Sequence, residues 1–94
     1  MSVYLVTWDV NREKPNYAQA RAAFVKHLEA YENTRDGGLD SVCFISTANS
    51  ADQVDSYLRQ KLDDNDRLVV TQLVRGGHQG WLGDDVWQWI NQRL

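Results

Sequence analysis

The chain has little of several things that commonly announce a function. Cys43 is its only cysteine, which excludes an intrachain disulfide and a thiolate zinc site. Its place inside Val42-Cys43-Phe44-Ile45 marks a small buried apolar residue rather than a reactive thiol. No apolar run approaches the roughly 20 residues that a membrane-spanning helix needs, so no membrane association is expected. The start of the chain lacks a basic segment, an apolar core and a small-residue cleavage site, and a cytoplasmic location is the expectation. Basic residues are in deficit. Lys and Arg number 10 against 13 Asp and Glu, a formal net charge of −3, which disfavours nonspecific phosphate binding and makes nucleic acid a poorer partner than a basic protein. Gly76-Gly77 lacks the lysine and downstream hydroxyl of a phosphate loop, and Ser41, Ser46 and Ser50 have no neighbouring base. No catalytic triad, repeat, linker or low-complexity segment is present.

What is there suits one globular domain over residues 1–94, at 43% hydrophobic and 24% charged residues. The stretch Val3-Tyr4-Leu5-Val6-Thr7-Trp8-Asp9 is rich in β-branched and aromatic residues and too short to favour a helix. It reads as a central strand with a carboxylate at its carboxyl end. The single proline, Pro15, blocks backward extension of a helix that Asn16 is placed to cap. That helix has Tyr17, Ala20, Phe24, Leu28 and Tyr31 on one face, with Arg21, Lys26 and Glu29 as solvated charges on the other.

Tyr31 to Arg35 reads as either the helix end or a short edge strand. Asp36-Gly37-Gly38 signals a turn through glycines that accept positive φ. Leu39 to Thr47 then reads as an interior strand. Ser50 and Gln53 fit a capping box ahead of the stripe Ala51, Val54, Leu58, Leu62. After Asp63-Asp64-Asn65-Asp66, the run Arg67 to Val74 reads as another buried strand, ended by Arg75-Gly76-Gly77. Beyond a glycine-rich loop, Val86, Trp89, Ile90 and Leu94 share one face of a short closing helix, with Asp84 and Asp85 where the helix dipole favours acid. A strand with Trp87 and Trp89 on one side is the competing reading of that tail.

This order is the split β-α-β pattern of α+β, ferredoxin-like folds: a β-α-β-β-α-β sandwich, here with a short C-terminal helix. Two helices cover one face of such a sheet. The other must meet solvent, the tail or a second chain, which makes a homodimer or a partner surface an expectation.

Among residues able to carry chemistry, Asp9 stands first, as a hard oxygen ligand for Mg²⁺ that a two-fold dimer would double. Asp63, Asp64 and Asp66 lack the glycine and glutamate of a calcium loop and read as a solvated turn. With Asp52 and Asp55 they form the most acidic stretch, suited to an Arg/Lys-rich partner. His27 reads as a structural histidine. His78, beside Trp81 in a glycine loop, and Trp87 are further candidates for partner contact.

Trp8-Asp9-Val10-Asn11, Asp40-Ser41 leading into Val42-Cys43-Phe44-Ile45-Ser46-Thr47, and Asp63-Asp64-Asn65-Asp66-Arg67-Leu68 together resemble the small bacterial proteins of the SinR family. That family is similar to the CRISPR-associated spacer-acquisition endoribonuclease subunit and to virulence-associated protein D. The resemblance implies a ferredoxin-like fold, frequent homodimers and, in the nuclease branches, a metal-binding aspartate at the end of the first strand, which falls on Asp9 here. Those branches usually place tyrosine before that aspartate; this chain has Trp8.

The leading expectation is therefore a noncatalytic protein-binding module of immunity or antitoxin type, free of cofactor, that neutralises a basic, nuclease-like partner through Asp52, Asp55, Asp63, Asp64, Asp66, His78, Trp81 and Trp87. The alternative is a homodimeric Mg²⁺-dependent endoribonuclease with Asp9 as metal ligand.

Overall fold

A computed structural model describes all 94 residues. The elements follow in the order β1 (Ser2–Asp9), α1 (Tyr17–Leu28), β2 (Glu32–Thr34), β3 (Val42–Thr47), α2 (Ala51–Leu58), a single 3-10 turn (Arg59–Lys61), β4 (Arg67–Gln72) and α3 (Asp84–Arg93). The strands form one sheet in the order β2-β3-β1-β4, and every neighbouring pair is antiparallel. This is the α+β, ferredoxin-like arrangement with a C-terminal helix that the alternating patterns predict. β1 is central as expected: Ser2 lies opposite Thr47 and Thr7 opposite Val42 on β3, while Tyr4 lies opposite Gln72 and Asp9 opposite Arg67 on β4.

Alternation along β1 sends its side chains to two separate cores. Tyr4, Val6 and Trp8 join Cys43 and Ile45 of β3 under Phe24 and Leu28 of α1 and Val54 and Leu58 of α2. Val3 and Phe44 face the other way, where Val86 and Ile90 of α3 close over them with Leu73. The tail is thus a helix, and it covers part of the second face. α1 and α2 are stapled to each other by a reciprocal pair: the Tyr57 hydroxyl donates to the His27 carbonyl (2.9 Å), His27 Nε2 bonds the Tyr57 carbonyl (2.8 Å), and the two rings stack at 3.7 Å. His27 has the structural role its sequence position suggests. No helix is long and apolar enough to cross a membrane.

Several local expectations are corrected. β4 is an edge strand whose burial alternates, and Val69 is 56% exposed, because only β1 flanks it and no helix lies over its outer side. Asn16 occupies the N-cap of α1, yet its side chain accepts no capping bond. The Ser50 capping box of α2 is complete, with both reciprocal bonds made. Neither Gly37 nor Gly38 has positive φ, which in this chain occurs at Gly76 alone (φ 77°). The Asp36 turn is built by charge instead: the Asp36 carboxylate accepts from the Gly38 N–H and, across the fold, from the N–H of Gly83 at the start of α3, both at 2.8 Å. These two donors hold its carboxyl below the usual range against a weaker opposing effect of desolvation.

Candidate functional site

Two regions concentrate charge, and one buried carboxylate links them. The loop leaving β1 carries Asn11, Arg12 and Lys14, while the turn between α2 and β4 carries the four residues Asp63 to Asp66. Asp66 joins them. Its side chain is fully buried, accepts the backbone N–H of Asn11 and of Asp63 (both 2.9 Å), and bonds Lys14 Nζ at 2.6 Å. Lys14 also reaches Asp63 at 2.9 Å. Burial alone would raise the Asp66 carboxyl, but the Lys14 and backbone hydrogen bonds, with the Lys14 charge, hold it below the ordinary carboxylate value. The same carboxylates raise Lys14 above its ordinary value. Asp66 therefore clamps the loop, which corrects the expectation that it faces a partner with the other acids: its carboxylate is taken up inside by the Asn11 and Asp63 N–H groups and Lys14.

The remaining acids do face outward. A groove of about 920 Å³ opens beside α2 and the start of β4, with Asp55, Asp63 and Asp64 on its walls. Asp55 makes a loose 3.6 Å pair with Arg59 one turn on, and the Asp63 side chain stays 55% exposed despite its bridge to Lys14. Asp52, on the first turn of α2, and Asp64 are exposed and form no ion pair. Arg67 turns back to donate to the carbonyls of Asp64 and Asp66.

At the carboxyl end of β1 lies a second, smaller cleft of about 280 Å³ between the β1 exit, α1 and the approach to β3, with Asp9, Asp40, Arg12 and Arg21 among its walls. Asp9 is exposed and stands opposite Arg67 without pairing to it. Sequence reasoning found no second carboxylate for Asp9; the fold supplies Asp40 from the approach to β3. It also corrects Arg21, read as a plain solvated charge: Arg21 is half-buried and donates to the Asp40 carbonyl at 2.6 Å, where Arg35 donates too, at 2.8 Å. Arg35 lies over the Trp8 ring at 5.4 Å and Arg12 over the Tyr17 ring at 5.9 Å. Trp8 is 4% exposed and lines the cleft, and its indole N–H is the one buried side-chain polar atom in the chain without a partner. Leaving such a donor unmet costs about 1–3 kcal/mol.

His78 and the tail tryptophans lie elsewhere. His78 stacks on Trp87 with ring centroids 6.0 Å apart, and its Nδ1 bonds the Val74 carbonyl at 2.8 Å, beside a hollow of about 390 Å³ that Arg75 and Asn91 also line. A carbonyl can only accept, so Nδ1 is the donor in this bond. Trp87 is half-buried, whereas Trp81 is 97% exposed. Cys43 is fully buried, and desolvation pushes its thiol up to about 12, so it stays protonated and inert.

No three His, Cys, Asp or Glu side chains gather anywhere at metal-binding distance. Mg²⁺ at Asp9 would rest on Asp9, with Asp40 in the same cleft, and take its other ligands from water and substrate phosphate, a pattern common for that ion. Comparison with models of known protein families finds none that matches the chain, and no curated protein matches it in sequence.

Proposed function

We propose that this protein is a noncatalytic binding module that docks a cationic protein surface, in the manner of an immunity or antitoxin-type protein covering a basic, nuclease-like partner. The observation that carries this reading is the outward set of carboxylates along α2 and the turn that follows it. Asp55, Asp63 and Asp64 border a broad groove and Asp52 is exposed further back on α2, while Asp66, which clamps the β1 exit loop, is withdrawn into the interior. Such an arrangement steers and orients a positively charged partner, chiefly by raising its association rate and fixing its register. The test is binding of an arginine-rich peptide and of a cationic ribonuclease at low and moderate salt. Joint reversal of Asp52, Asp55 and Asp64 to Lys is expected to weaken both at least tenfold; undiminished affinity in that variant sinks the reading.

Asp9 and Asp40 sharing one cleft favours a second reading, a homodimeric Mg²⁺-dependent endoribonuclease. RNA incubated with protein and Mg²⁺ should then be cut by the wild type and left intact by Asp9→Asn. An inert wild type removes that reading.

A further inference from the structure

We propose that the cleft at the carboxyl end of β1 binds a small hydroxylated phosphomonoester, its phosphate held by Arg12 and Arg21, with Arg35 fixing the Asp40 carbonyl behind them, and its hydroxyls by the carboxylates of Asp9 and Asp40. This inference goes beyond the protein-docking reading and does not depend on it. In a chain where acids outnumber bases, both of these arginines and the adjoining Arg35 lack a carboxylate partner: the four ion pairs of the fold use Lys14 twice, Arg59 and Arg93. Their guanidinium groups are held in place by other means. Arg21 and Arg35 converge on one carbonyl, that of Asp40, which takes a single N–H from each and leaves the remaining donors of both forks free. Arg35 and Arg12 are further set by the faces of Trp8 and Tyr17. Planar guanidinium forks positioned in advance match the tetrahedral oxygens of phosphate, and little ordering entropy remains to be lost on binding.

The Trp8 side chain lines this cleft and its buried indole N–H, the one unmet donor among buried side-chain polar atoms, makes it a reporter of occupancy beside the site. A cleft of about 280 Å³ suits a body the size of a pentose phosphate and is too small for a drug-sized ligand. Asp9 and Asp40 would repel a second anionic group while accepting hydrogen bonds from hydroxyls, so the ligand carries one phosphate at one end.

The test follows the indole N–H resonance of Trp8 in ¹⁵N-labelled protein, assigned by its loss in Trp8→Phe, with EDTA present. The probes are ribose 5-phosphate, inorganic phosphate and ribose. Ribose 5-phosphate is expected to shift the Trp8 signal saturably, more tightly than inorganic phosphate, and ribose to leave it unmoved. Arg12 is exposed and makes no hydrogen bond that the fold relies on, so Arg12→Gln should fold normally and weaken binding at least fivefold; Arg21→Gln should weaken it more. Lys61→Gln, a charge control on the 3-10 turn, should bind as wild type, and so should the Asp52, Asp55, Asp64 reversal. A Trp8 signal that does not move, equal affinity for phosphate and ribose 5-phosphate, a requirement for Mg²⁺, or equal weakening by Lys61→Gln each overturns the proposal.

Discussion

Asp66 and its neighbours Asp63 and Asp64 are chemically alike in sequence, yet the chain uses them oppositely. Asp66 lies in the interior and ties the β1 exit loop to the α2–β4 turn through three hydrogen bonds, while Asp64 remains in solvent. Its folded carboxyl titrates below the unfolded value near 3.8, so its contribution is present at neutral pH and is lost as pH falls through and below that value. Lys14, raised above 10.5, has the opposite sign: its share is lost only as pH rises past that point, well outside the acid window. Asp66→Asn should therefore lower the unfolding free energy at pH 7 by about 2 kcal/mol in urea titrations. The gap to wild type should close as pH drops below about 4. None of this was legible beforehand, because the partner, Lys14, lies 52 positions away and nothing local separates one aspartate of the turn from the next. The arginines of the small cleft were hidden for the same reason: Arg21 looks like any solvated charge until the Asp40 carbonyl is folded against it.

Elements were easier to read where one physical cause dominates. The stripe of α1 and the Ser50–Gln53 box of α2 are local patterns, and both elements form where expected. α2 has only eight residues before it tightens into the 3-10 turn, too few to be stable by propensity, so its end groups matter more than in a long helix. Ser50→Ala should lower stability by about 1 kcal/mol, measured as a reduced urea midpoint with an unchanged slope. Burial, by contrast, is a tertiary property. The apolar run at Leu68 to Val70 looks the same at the centre of a sheet as at its edge, and only the strand order leaves Val69 uncovered. The turn at Asp36 is marked by its glycines in sequence, but its carboxylate and not glycine φ shapes it, and its second anchor, Gly83, is 47 residues downstream.

For the molecule as a whole, the sheet divides the interior into two cores that share β1 and β3 and little else. The one under α1 and α2 is the larger, and the one under α3 depends on few side chains. Ile90→Ala, at a fully buried site of that smaller core, should cost about 2–5 kcal/mol in chemical denaturation and should loosen α3 preferentially, seen as faster amide exchange in Asp84–Arg93 than in α1.

The strand order also governs how the chain becomes a fold in time. β1 is made first, but its two neighbours are β3, whose first residue is Val42, and β4, which ends at Gln72. During synthesis β1 has no strand to pair with until Val42 to Thr47 is made, and its other flank stays open until Arg67 to Gln72 follows. Closing such long loops is slow. Throughout that interval an apolar β-forming stretch, Val3 to Trp8, is available to bind chaperones or to associate with other nascent chains, and yield in cells should respond to synthesis rate and growth temperature more steeply than equilibrium stability alone would suggest.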